Sequence, residues 1–110
     1  MSGMAPEVES LEYVLEGTQP VGSFAPVLVG VVGSGNLEVL IESADLQGGC
    51  SVEIKTAARG FGAIWEAVIG DFNKRWQLAD TRISINDMGA TPAVVSLRLD
   101  QAVESVVEAR

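Results

Sequence analysis

The sequence predicts a single small α+β domain, an antiparallel β-sheet packed by two helices. Three observations carry that prediction. Short β-branched runs separated by glycine-bearing turns fill the first half. A four-residue apolar period runs from Ile64 to Trp76 in the second half. The 110 residues are 47% hydrophobic and 20% charged, enough for one compact core and against intrinsic disorder.

Taken in chain order, residues 1–8 read as a flexible acidic tail and 9–110 as the domain. Leu11, Tyr13 and Leu15 recur with period 2, flanked by Glu12 and Glu16, as on a half-buried strand. Gly17 to Gly22 has a loop composition. Val27 to Val32 is short and β-branched, a buried strand. Leu37 to Glu42 is a second strand, and Gly33-Ser34-Gly35-Asn36 between them tolerates the positive φ of tight turns. Residues 27–42 are therefore expected to form a hairpin. After a turn at Asp45–Gly49, Ser51 to Thr56 alternates as the next strand of a meander.

The second half opens with a helix over Ala63–Leu78, its stripe made by Ile64, Val68, Phe72 and Trp76 and widened by Trp65, Ile69 and Leu78. Both tryptophans are expected in the core. Arg82 to Asp87 alternates around Ile83 and Ile85 as a strand, and Met88–Pro92 as a turn. Val95 to Leu99 alternates again, so a strand is preferred there. Asp100 would then cap a terminal helix carrying Ala102, Val103, Val106 and Val107. The competing reading starts that helix at Thr91 as cap with Pro92 in its first position.

Composition excludes several function classes. There is no histidine, so Ser-His-Asp, Cys-His and histidine–metal chemistry within the chain are ruled out. One cysteine, Cys50, can form neither an internal disulfide nor a cysteine-rich zinc site, and it fits a reducing cytoplasm. Cys50 is expected to be a small, half-buried residue rather than a redox nucleophile. No apolar run approaches the roughly 20 residues that span a bilayer. The net charge of −8 is lopsided: Met1–Ile54 holds eight acidic residues and no basic one, and Lys55–Arg110 holds seven of each. That disfavours nucleic acid and anionic membranes as partners and suits a basic partner surface. Glu38 and Glu42 share one side of a strand and read as solvated carboxylates rather than a metal site.

Gly33-Ser34-Gly35 lacks the Gly-Lys-Ser/Thr ending of a phosphate loop. With no histidine partner it is no nucleophile elbow. What remains is a hydroxyl flanked by two residues without side chains, open to another macromolecule's active site. The chain offers no base to activate it, so a functional Ser34 would be an acceptor that another enzyme modifies. The alternative is a hairpin turn and nothing more.

The run Val32-Gly-Ser-Gly-Asn-Leu-Glu-Val-Leu40, followed by Asp87-Met-Gly-Ala-Thr-Pro-Ala-Val-Val-Ser-Leu-Arg-Leu-Asp-Gln101, resembles the acyl-carrier (delta) subunits of malonate decarboxylase. The similarity extends from about residue 9 to residue 105. The resemblance implies that Ser34, between Gly33 and Gly35, carries 2′-(5″-phosphoribosyl)-3′-dephospho-CoA through a phosphodiester, absent from apo recombinant protein. It implies a thiol that holds acetyl or malonyl, no catalytic residues, and cytoplasmic location. The implied partners are an acetyl/malonyl transferase subunit, decarboxylase subunits and a prosthetic-group transferase. The family usually has Asp after Gly-Ser-Gly, where this chain has Asn36; Asn serves a turn equally well. The acyl carrier of citrate lyase is a related branch, with a Ser-Ser-Asp context that matches less well. A non-catalytic interaction subunit with no covalent cofactor is the rival from another class. The role of the second motif is not implied. Asp87 is expected to stabilise the turn before Gly89, and Arg98 to lie on the outward face of the sheet.

Overall fold

The computed structural model describes residues 8–30 and 37–108. The expected acidic tail up to Glu7 and the expected hairpin tip, with Gly33, Ser34 and Gly35, lie outside the described residues. The strands are β1 (Glu9–Glu16), β2 (Gln19–Pro20), β3 (Val27–Val29), β4 (Leu37–Ser43), β5 (Gly49–Thr56), β6 (Leu78–Ala79) and β7 (Thr81–Asp87). The helices are α1 (Gly62–Trp76) and α2 (Pro92–Glu108).

The α+β class is borne out, but the sheet is not a meander. Its order is β1-β5-β7-β4-β3. β7 inserts between β4 and β5, antiparallel to β4 and parallel to β5. Parallel neighbours need a crossover, and α1 supplies it between β5 and β7. The β3–β4 pair is antiparallel as expected, with Val27, Leu28 and Val29 facing Ile41, Leu40 and Val39.

One sheet face is covered by the helices. Leu37, Val39, Ile41, Val52, Ile54, Ile83 and Ile85 point inward and are almost wholly buried. Each such side chain contributes about 1.5–3 kcal/mol by leaving water. From α1 the inward residues are Trp65, Ile69 and Phe72. The stripe is thus rotated from the expected one: Ile64 is 43% exposed, and Val68 and Trp76 pack at its margin. α1 ends at Trp76 because Gln77 turns into the left-handed region (φ 48°), its N–H donating to Asn73 O. Leu78 then leaves the helix for β6, parallel to β2.

The strand expected at Val95–Leu99 is helix. α2 begins at Pro92, and the Thr91 hydroxyl oxygen accepts the Val94 N–H at 3.3 Å. Val95, Leu99, Ala102, Val103 and Val106 are buried at helical spacing. Asp100 is therefore no cap. Its Oδ1 accepts from Trp76 Nε1 at 2.8 Å and from Arg75 at 3.0 Å, tying α1 to α2. Arg98 is likewise on α2 and half-buried, not on the sheet's outer face. No helix among the described residues is long and apolar enough to cross a membrane.

Candidate functional site

Ser34, Gly33 and Gly35 lie outside the described residues, so the site is built from what brackets them. On one side is Gly30, in the left-handed region at φ +96°. A Cβ placed there would stand 2.2 Å from Leu37 O. Only glycine allows the end of β3 to approach the start of β4 this closely. On the other side is Leu37, buried, opposite Asp87 in the β4–β7 register. Asp87 in turn faces Thr56 across the parallel pair. The described residues that bracket Ser34 thus stand at the end of the sheet formed by Leu37, Asp87 and Thr56.

Asp87 is 2% exposed. Its Oδ1 accepts the N–H groups of Gly89 (3.1 Å) and Ala90 (2.8 Å), and its Oδ2 accepts the Thr56 hydroxyl at 2.8 Å. The expectation that Asp87 stabilises the turn is borne out. Thr56 was not singled out by sequence, since a lone threonine at a strand end carries no pattern. The two motifs that carry the resemblance therefore meet in space, the first through Leu37 and the second through Asp87.

Both helices begin at this same end, and neither has an acidic residue in its first turn. Lys55, opposite Asn86 in register, is an exposed cation at this end of the sheet's open face.

Cys50 sits toward the other end of the sheet, opposite Leu15 and Thr81. It is 1% exposed rather than half-buried, and burial pushes its thiol up to about 11. Among the described residues no group of three or more metal-ligating side chains gathers.

The family model of the malonate decarboxylase delta subunit matches residues 25–106. The chain is 66% identical over 99 residues to the malonate decarboxylase acyl carrier protein of Burkholderia cepacia, covering 90% of this chain and 91% of that one. It is 59% identical over 101 residues to the protein of the same name from Stenotrophomonas maltophilia (strain K279a), covering 91% and 95%. Among solved structures it resembles a chain of a Pseudomonas malonate decarboxylase hetero-tetramer crystallised with malonate. The TM-score is 0.78 at 36% identity, over 89% of this chain and 98% of that one.

Proposed function

The chain belongs to the malonate decarboxylase delta-subunit family, and from that premise we propose that it serves the complex as its acyl carrier, with Ser34 bearing the prosthetic group. One observation carries the reading furthest. The family match spans Gly33-Ser34-Gly35 and the Asp87 motif, and these two stretches are joined at one end of the sheet by the Leu37–Asp87 pairing.

The group is 2′-(5″-phosphoribosyl)-3′-dephospho-CoA in a phosphodiester to the Ser34 hydroxyl; it supplies a thiol that holds acetyl or malonyl. The chain's own contribution is to fix Gly30 and Leu37, the described residues on either side of the Ser34 segment, at one end of the sheet. With no histidine in the chain, the serine relies on a prosthetic-group transferase to activate it. The transferase and decarboxylase subunits then perform the bond chemistry in the cytoplasm. The carrier's share is to raise the effective concentration of the acyl group at both of their sites.

Intact-mass analysis of chain purified from its host tests the reading. An adduct on the peptide containing Ser34 is expected, and Ser34→Ala should carry none while melting as the unsubstituted chain does. A bare chain in a complex that decarboxylates malonate would overturn it.

A further inference from the structure

Between the first turns of α1 and α2 lies a hollow of about 70 Å³. Phe61, Ile64, Trp65 and Val68 line it from the α1 side, and Pro92 and Val95 from the α2 side. Phe61 and Ile64 are 47% and 43% exposed, large apolar side chains left in contact with water, whereas Trp65 is 6% exposed. Asp87 also borders the hollow.

Asp87 is the residue opposite Leu37, and Ser34 precedes Leu37 by three positions. Three residues of chain reach at most about 10 Å, and neighbouring strands lie about 5 Å apart. Covalent geometry therefore limits the Ser34–Asp87 separation to about 15 Å, within the reach of a CoA-derived arm.

We propose that this hollow receives the acetyl end of the arm on Ser34 and excludes the malonyl end. The proposal rests on the carrier reading given above. A single water needs roughly 10–15 Å³ of such space, so the hollow admits several water-sized groups and an acetyl fits. Placing a methyl group against Phe61, Trp65 and Val95 removes apolar surface from water at no electrostatic cost. A malonyl carboxylate would have to shed its hydration in an apolar recess. It would also approach the Asp87 carboxylate, whose oxygens are already engaged by Thr56, Gly89 and Ala90 and which repels a second anion. The carrier thereby shelters the acyl group that must persist between turnovers. The malonyl group stays in solvent, where a decarboxylase subunit can take it.

The test uses the modified full chain, its Ser34 adduct first verified by mass, loaded separately with acetyl and malonyl. Thioester cleavage by hydroxylamine is timed against acetyl-CoA and malonyl-CoA. The acetyl-loaded chain should react about fourfold more slowly than acetyl-CoA, the ratio expected from burying one methyl-sized group. The malonyl-loaded chain should match malonyl-CoA. The Trp65 indole resonance should shift on acetyl loading and stay put on malonyl loading. Ala90→Leu, which fills the hollow from its wall, should abolish the protection with the adduct still attached. Equal relative rates for the two acyl groups in the unsubstituted chain would overturn the proposal while leaving the carrier reading intact. Absence of the Ser34 adduct would overturn both.

Discussion

The Thr56 hydroxyl donates to Asp87 Oδ2 at 2.8 Å, joining the last residues of two parallel strands where both are buried. The same hydroxyl oxygen accepts the Ala58 N–H at 3.0 Å, and the Ala57 N–H reaches Asp87 O at 2.9 Å. One carboxylate and one hydroxyl thus direct the chain out of β5 toward α1 and out of β7 toward α2. Those exits set the distance between the helix starts, and with it the hollow between them.

Thr56→Val keeps the shape and removes the donor, leaving a buried carboxylate oxygen short of a partner. A loss of about 1–3 kcal/mol is expected, read from urea unfolding. Thr56→Ser should recover most of it. Asp87→Asn should be milder than Asp87→Ala, because an amide oxygen can still accept from Gly89 and Ala90.

Gly30→Ala should distort the base of the β3–β4 pair, since its Cβ would stand 2.2 Å from Leu37 O. Gly22→Ala is the control: φ is also positive, at +87°, but nothing lies within 4 Å of the added carbon. The control should cost only the left-handed penalty, about 1–2 kcal/mol. Gly30→Ala should cost more in thermal melts and also slow Ser34 modification per folded molecule. Equal modification rates in the two variants would remove Gly30 from any positioning role.

The strands of the five-stranded sheet and α1 are legible because their patterns are long or strongly β-branched, as in Leu37–Glu42 and Ser51–Thr56, whereas the two-residue β2 and β6 fall in stretches read as loop and helix end. The Val95–Leu99 stretch misled because five residues are too few to separate periods. Val95 and Leu99 fit both spacings, and only Leu97, 57% exposed, betrays the helix. The Thr91-Pro92 start signal was present and was outweighed. Sheet order was legible in principle from strand, helix, strand over β5, α1 and β7, the arrangement that parallel neighbours require. The hollow could not be read at all, because it is made by two stretches, 58–68 and 87–95, that are far apart in sequence and brought together by the fold.

Asp80 links loop to sheet: its Oδ1 accepts the N–H groups of Leu46 (3.0 Å) and Gly48 (2.9 Å). Those bonds, Gly48's first and then Leu46's, lower its pKa below the ordinary 3.8 against an opposing effect of desolvation. A carboxyl that is more acidic folded than unfolded stabilises the fold above its unfolded value. That stabilisation is lost as pH falls through the lowered folded value. Asp80→Asn should therefore be less stable than the unsubstituted chain at neutral pH. The gap between their urea midpoints should close on acidification below about pH 4. A gap independent of pH would assign the loss to geometry alone.

The crossover of β7 interleaves charges that the sequence keeps apart. On the open face Glu42 lies opposite Arg82, and Glu38 opposite Asn86, whose Nδ2 donates to it at 3.4 Å. Glu38 directly follows Leu37, whereas Glu42 is a further four residues along β4. If basic partner mouths recognise this face, Glu38→Gln should slow Ser34 modification more than Glu42→Gln. The slowing should shrink as salt rises, because exposed charges are screened over about 8 Å at physiological ionic strength. Initial-rate assays across a salt series would read this directly. Equal effects, or none, would reduce the acidic face to a solubility device.

The position of β7 at the centre of the sheet also governs when the protein comes into being. β1 and β5 form one ribbon and β4 and β3 another, and no strand joins them until Thr81–Asp87 has been synthesised. A nascent chain halted before that point holds two ribbons with exposed edges, which invite wrong pairing. Leu37 gains its partner only when Asp87 emerges, so this end of the sheet is completed only once β7 has been made. On the carrier reading, a chain stopped before Thr81 should therefore be a poor substrate for modification at Ser34, which intact mass of such a truncation would read.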